Sequence, residues 1–320
     1  MVDPATMMGT LSMQIGVKVG APIDPVSWSN TRAMAVEAEM AGFDSIWVED
    51  HHIGPNGGPH DSWSALAGLS AVTSRVRVGS VVSSLNFHPS PAILAHRVAT
   101  IHDMSGGRLI VGVGSGDPGE AARLGLPGDD AVGRFVEKFE VMRRLLGGER
   151  FDFWGEHVRL EDAFLVPAHP VEWVEGLPSV GSPSPVAVDW MVGSTSPRVL
   201  DATLPHAAGW TSHWSSGDFQ NDPDRYPPLR AAVDERLHDL GRDPANVWRA
   251  TEVWVQGSSP RGLPIPLPDS TVPGGGSVDT MAEFLERCAA GGIDHLIVLL
   301  DPQTPKAVEE LAEARRRIEG

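Results

Sequence analysis

Asp50, His51 and His52 follow directly on the β-branched and aromatic run Ser45-Ile46-Trp47-Val48-Glu49. An imidazole changes protonation near neutral pH, and a neighbouring carboxylate can orient it or raise its pKa, so this trio is equipped for acid–base chemistry. The run before it reads as a strand. In alternating strand–helix proteins the carboxyl edge of the strands is where catalytic groups gather. His51 is therefore the leading candidate acid–base, with Asp50 to fix it, while His52 should point elsewhere by the strand's alternation. A hydrogen-bonded structural histidine is the plainer reading of any lone imidazole, and only the position at a strand end argues against it.

Two further stretches could hold a ligand. In Gly112-Val113-Gly114-Ser115-Gly116-Asp117 the third glycine of a dinucleotide fingerprint is replaced by Asp117, and the motif follows the fourth strand instead of opening the first βα unit. Its glycines would let a flat ligand approach the backbone, with the Ser115 hydroxyl and Asp117 carboxylate at its edge; a tight turn is the alternative. Gly193-Ser194-Thr195-Ser196-Pro197 lies between a strand and a helix, where amides, hydroxyls and the helix dipole suit a phosphate, or where the serines only cap a helix. A metal held by Asp50, His51, His60 and His88 is not expected. No His-x-His follows the first strand, and most of the 12 histidines sit at no common ligand spacing.

Eight strand-like runs must position these groups: Met13–Val19, Ser45–Glu49, Val76–Val82, Leu109–Val113, Val186–Val192, Ala207–Thr211, Ala250–Gln256 and His295–Leu300. Helix-period segments such as Thr31–Ala41 separate them, and Ser90-Pro91, Ser196-Pro197 and Thr304-Pro305 read as helix starts. Eight β/α units close most naturally into an α/β barrel, a single domain spanning residues 1–320 with a flexible start over 1–12. Phe151–Leu160 reads as an inserted hairpin with Gly155 in its turn. Val174–Pro185 and Gly257–Gly276 carry too many Pro, Gly and Ser for regular elements; the second follows the seventh strand and is expected to form a lid or specificity loop on the catalytic face.

With 41% hydrophobic residues and 320 in all, the chain can bury one large core. A formal charge of −17 repels nucleic acid and anionic membranes, and no basic run offsets it. Cys288 is the only cysteine, so an intramolecular disulfide and a cysteine-built zinc site are excluded. The first residues lack a signal-peptide pattern and no apolar run has membrane-spanning length, so a cytoplasmic, soluble protein is expected.

From Met13 to about Ile318 the chain resembles the luciferase-like flavin oxidoreductase superfamily, and within it the branch using the deazaflavin coenzyme F-420. The resemblance rests on Ser45–His51; on Val78-Gly79-Ser80-Val81-Val82 leading to Asn86–Ala92; on Gly107–Gly116; and on the hairpin Phe153–Leu160. It implies a TIM barrel of the bacterial luciferase type with the tricyclic ring laid across the strand ends. The cofactor's phosphate would sit at Gly193, Ser194, Thr195 and Ser196, and a non-prolyl cis peptide would fall at Val81–Val82 behind the ring. Ser83 and Ser84 would border the ring, Ser115 and Gly116 would oppose them, and Asp50 would fix His51 or touch the ring.

In the dehydrogenases of this branch a histidine at the His51 position works with a glutamate at the Asp117 position. Asp117 is one methylene shorter, so a bridging water would carry its contact. The branch's tryptophan after that histidine has no counterpart in Ile53-Gly54-Pro55-Asn56, and the basic grip on a sugar phosphate is not evident, so glucose 6-phosphate is not the expected substrate. The expected activity is hydride transfer between coenzyme F-420 and a small organic substrate, with Phe87, Trp210, Trp214 and Trp254 as apolar pocket walls and a homodimer as the working form. The alternative is a monooxygenase using flavin mononucleotide (FMN) and oxygen, fed by a partner flavin reductase.

Overall fold

The computed structural model describes residues 13–21, 26–53, 57–167, 173–174, 177–178, 185–212, 226–260 and 275–319. Eight parallel strands form its centre: β1 (Gln14–Lys18), β2 (Ser45–Val48), β3 (Arg77–Ser80), β4 (Leu109–Gly114), β5 (Asp189–Val192), β6 (Gly209–Ser212), β7 (Trp248–Gln256) and β8 (His295–Asp301). Each pairs with the next, β8 pairs with β1, and β4 pairs with β5 through Asp189 to Val192 against Ile110 to Val113, so the sheet closes on itself. This is the TIM barrel expected from the eight β/α units.

The helices outside it are α1 (Trp28–Met40), α2 (Ser62–Val72), α3 (Pro91–Met104), α4 (Pro118–Arg123), α5 (Ala131–Leu146), α6 (Pro197–Thr203), α7 (Tyr226–Asp239), α8 (Val278–Ala290) and α9 (Pro305–Glu319). Their first turns follow the sequence signals. Ser90 Oγ accepts from the Ile93 amide ahead of α3, and Thr304 Oγ1 from the Ala307 amide ahead of α9. Helix α1 buries Thr31, Met34, Ala35 and Ala38, a spacing of three and four residues that makes one face, and leaves Met40 exposed.

Alternation along each strand sorts side chains into two cores. Ile15, Val17, Ile46, Val48, Val78, Leu109, Val111 and Val113 face outward into the helix layer and are fully or nearly fully buried. Burying each such side chain is worth about 1.5–3 kcal/mol, so this interface is the main source of the fold's stability. Inward lies a smaller plug of Trp47, Val81, Ile110, Met191, Ala250 and Ile297. Trp47 fits because Gly16 and Gly79 give up their side-chain volume: a Cβ on either would collide with its indole. The indole nitrogen donates to Ser45 Oγ at 2.6 Å, and Ser45 Oγ lies 2.6 Å from His295 Nε2, so the polar atoms of the plug are paired.

The hairpin is present as Phe151–Trp154 paired antiparallel with Arg159–Ala163, with Gly155 donating to the Val158 carbonyl across its turn. Glu137 of α5 accepts the amides of Glu156, His157 and Val158, each at 2.8 Å, which docks the turn on the helix. Overlapping the start of the stretch expected to be irregular, Trp173–Val174 pairs antiparallel with Leu177–Pro178. A two-residue ladder tolerates proline at its edge, which is why composition alone hid it. Residues 261–274, the greater part of the expected lid, and residues 1–12 lie outside the described residues. No described helix is long and apolar enough to cross a membrane.

Candidate active site

β2 ends at Val48, and its next residues carry the inward parity over the barrel's carboxyl edge. There His51 is half-buried, its Nδ1 2.6 Å from Glu120 Oε2. The other oxygen of Glu120 accepts the His52 amide at 2.5 Å and the Ile53 amide at 3.2 Å. One buried carboxylate thus fixes both the ring and the backbone that carries it. With Nδ1 committed, Nε2 is the ring nitrogen left to exchange a proton with a substrate.

Glu120, and not Asp117, is the acidic partner of His51. Asp117 is exposed and caps α4, accepting the Glu120 amide at 2.7 Å, so its side chain points down the helix instead of into the mouth. The sequence did hold a signal for Glu120: Asp117-Pro118-Gly119-Glu120 has the spacing of an N-cap and its third helical residue. In this turn the glutamate reaches to the neighbouring loop instead of back to the cap.

Asp50 takes a different role from the one expected. It is 1% exposed and neither fixes His51 nor faces the mouth. Its carboxylate accepts from Ser62 Oγ at 2.5 Å, Ser83 Oγ at 2.8 Å and the Ser84 amide at 3.1 Å, with His88 Nε2 at 2.8 Å and His52 Nε2 at 3.3 Å. Burial would raise its pKa, but the donors from His52 and His88 outweigh it and hold the carboxyl well below the usual carboxylate range. The Asp50 carboxylate in turn raises the pKa of His52 against the effect of burial. Asp50, His52 and His88 bring one oxygen and two nitrogens within 4.8 Å of one another. Because hydrogen-bond donors already surround the oxygens, this set reads as a network that clamps the turn after β3, not as a coordination sphere.

That turn contains the cis peptide Val81–Val82, at the position the resemblance implied. Ser83 is buried with its hydroxyl on Asp50, whereas Ser84 gives Asp50 only its amide and stands level with inward-facing Gly114. Val82 is half-buried and packs where Gly114 and Gly193 lack side chains; a Cβ on Gly193 would stand 2.7 Å from its Cγ1. Ser115 and Gly116 lie half-exposed across from it, and the Ser115 carbonyl is held by Asn86 Nδ2 at 2.9 Å. Gly116 has φ +87°, and a Cβ there would meet Phe87 at 2.8 Å, so both conformation and space require glycine. The mouth is therefore lined by bare backbone from β4 and β5 with one valine between them.

Beside it, Gly193 is buried, Ser194 and Ser196 are half-exposed and Thr195 is exposed. Ser196 occupies the N-cap of α6 without a side-chain cap bond, and its amide donates to Ser194 Oγ at 3.1 Å. Trp210 does not line the pocket. Strand parity turns it outward into the helix-side core, where its Nε1 donates to the Ser194 carbonyl at 2.9 Å. Phe87 is buried edge-on to His52, and Trp254 is buried on the inward side of β7, two residues above Glu252. Trp214 lies outside the described residues.

Under the mouth, Lys18 Nζ stands 2.6 Å from Glu252 Oε1 and pairs with Glu49 Oε2. This buried ionic group was not visible in the sequence, because its members come from β1, the end of β2 and β7.

A family model described as luciferase-like monooxygenase matches residues 8–261. The chain belongs to the luciferase-like monooxygenase family. Within curated proteins, this luciferase-like chain is 35% identical over 173 residues to the F-420-dependent glucose-6-phosphate dehydrogenase of Amycolatopsis mediterranei (strain U-32), covering 50% of each. It is 33% identical over 128 residues to the 5,10-methylenetetrahydromethanopterin reductase of Archaeoglobus fulgidus, covering 40% of this chain and 37% of that one. The match thus spans half, or less, of the length of these relatives. A solved F-420-dependent secondary alcohol dehydrogenase, in complex with an F-420–acetone adduct, superposes with a TM-score of 0.73 over 94% of this luciferase-like chain and 98% of that one, at 19% identity. At that identity the likeness is one of fold.

Proposed function

We propose that this chain moves hydride between the deazaflavin coenzyme F-420 and a small organic substrate, with His51 handling the accompanying proton. The observation that carries the reading is the His51–Glu120 pair at the mouth of a luciferase-like barrel. The relatives named above, a coenzyme F-420-dependent dehydrogenase among them, support the choice of cofactor.

The residues present fit such a group. Bare backbone at Gly114, Gly116 and Gly193 leaves room for a flat ring against Val82, and the N-cap of α6 makes no side-chain cap bond. Val81, Val82, Ser84, Ser115 and Gly116 would hold the ring, with Asp50 and Ser83 bracing the turn from behind. Gly193, Ser194, Thr195 and Ser196 would hold a phosphate through amides and hydroxyls. When bound, a deazaflavin supplies a carbon that exchanges hydride and does not form the oxygen adduct of a flavin.

His51 Nε2 takes the proton of a substrate hydroxyl as its carbon gives up hydride, and returns it in the reverse direction. Glu120 steadies the charged ring meanwhile. A positioned acid–base of this kind contributes about 10²–10⁴-fold in rate. Phe87 and Trp254 keep the reacting carbons in a dry setting, where orientation counts for most. The reading extends to a cytoplasmic homodimer built from single barrel domains, which sedimentation of the purified protein would check.

Titrating the purified protein separately with coenzyme F-420 and FMN, while recording fluorescence quenching and oxygen uptake, tests the reading. Binding of coenzyme F-420 without oxygen consumption is expected. Tight binding of FMN alone, with oxygen uptake once a flavin reductase is added, would replace it with the monooxygenase reading.

A further inference from the structure

Three strands place ionisable groups at the floor of the pocket: Lys18 ends β1, Glu49 follows β2 and Glu252 lies midway along β7. Their side chains are 4%, 11% and 8% exposed, so the group has little contact with water. One ammonium faces two carboxylates. A buried unit with an uncompensated charge is strongly disfavoured, and one added proton would make it neutral. Lys18 engages Glu49 Oε2 and Glu252 Oε1, while Glu49 Oε1 is buried without a hydrogen-bond partner.

We infer that Lys18, Glu49 and Glu252 share one exchangeable proton at neutral pH and form a net-neutral proton store beneath His51. The charged groups acting on Glu252 are Lys18 on β1, Glu49 at the end of β2 and His51 beyond it. In register on β8 stands Ile297, and β6 ends at Ser212 beside Thr251, so neither neighbouring strand adds a charge at this level; Asp301 of β8 lies level with Gln256. Burial pushes the Glu252 carboxyl up most, Lys18 opposes it and Glu49 adds to the rise.

The store gives His51 a partner in charge. When His51 takes a proton from substrate, its positive charge favours release of the floor proton to water at the pocket mouth, and the total charge of the pocket stays constant. When His51 gives its proton back, the floor takes one up. No electrons move in this exchange. Its use in turnover rests on the hydride-transfer reading, whereas the shared proton itself does not.

Infrared spectroscopy of the protein without cofactor tests the store directly. At neutral pH the wild type should show a buried carboxylic-acid carbonyl stretch that titrates away in alkali. Glu252→Gln and Glu49→Gln should each abolish that band while keeping the native circular dichroism spectrum, because the remaining carboxylate then ionises against Lys18. Lys18→Met should retain the band to higher pH. A wild-type spectrum with no titrating acid band, or a band that survives both glutamine substitutions, overturns the inference. Failure to bind coenzyme F-420 would instead overturn the hydride-transfer reading and leave the band in place.

Discussion

Glu120 grips His51 at Nδ1 with one carboxylate oxygen and the amides of His52 and Ile53 with the other. Ring and backbone are therefore fixed by the same buried group, and that group sits on a helix two strands away in sequence.

His51→Ala should lower kcat by about 10²–10⁴-fold, the range for loss of a positioned acid–base. Glu120→Gln keeps an acceptor for the amides but removes the charge behind the ring, so a smaller fall in kcat is expected with an unchanged fold. Steady-state kinetics with any substrate turned over would check both. Full activity in His51→Ala would refute the assignment.

Asp117→Ala should behave differently. It removes the cap of α4, which costs about 1 kcal/mol and a few degrees of melting temperature, with far less loss of turnover than Glu120→Gln. A large loss in Asp117→Ala with little in Glu120→Gln would mean that Asp117, and not Glu120, serves the reaction.

Asp50→Asn should cost about 3 kcal/mol, since it weakens a buried network fed by Ser62, Ser83, Ser84, His52 and His88. The Asp50 carboxyl is held below the unfolded value of about 3.9, so its stabilisation is present above that pH and disappears as pH falls through the folded value. Urea unfolding at neutral pH and near pH 3 should show a smaller difference between wild type and variant at the lower pH.

His295 sets a second acid sensitivity. Burial, with a small push from Arg77, brings its pKa down to about 3, while the unfolded chain takes up the proton near 6.5. Between those values the unfolded state binds more protons, so stability should fall as pH drops through the window. Melting temperatures at pH 7 and pH 5 should show the fall in wild type and a flatter profile in His295→Gln.

Much of this was legible in the sequence because short-range patterns carry it. The strand runs, the proline-marked helix starts and the Gly155 hairpin are local signals, and the strand end before Asp50 pointed to His51. Glu120 escaped because reaching His51 depends on how α4 leaves β4, which no spacing encodes. Lys18 and Glu252 are 234 positions apart and each looks like an ordinary solvated charge; only barrel closure makes them neighbours. Trp210 was placed at the mouth by its nearness to a strand end, but one step of alternation turns it to the helices.

That outward turn makes the indole of Trp210 a rear bolt for the Ser194 loop. The segment proposed to retain the coenzyme's anionic tail is fastened from the oily side of the barrel wall, out of reach of any ligand. Packing defects among the outer helices can therefore loosen coenzyme retention while every atom that touches the coenzyme keeps its identity.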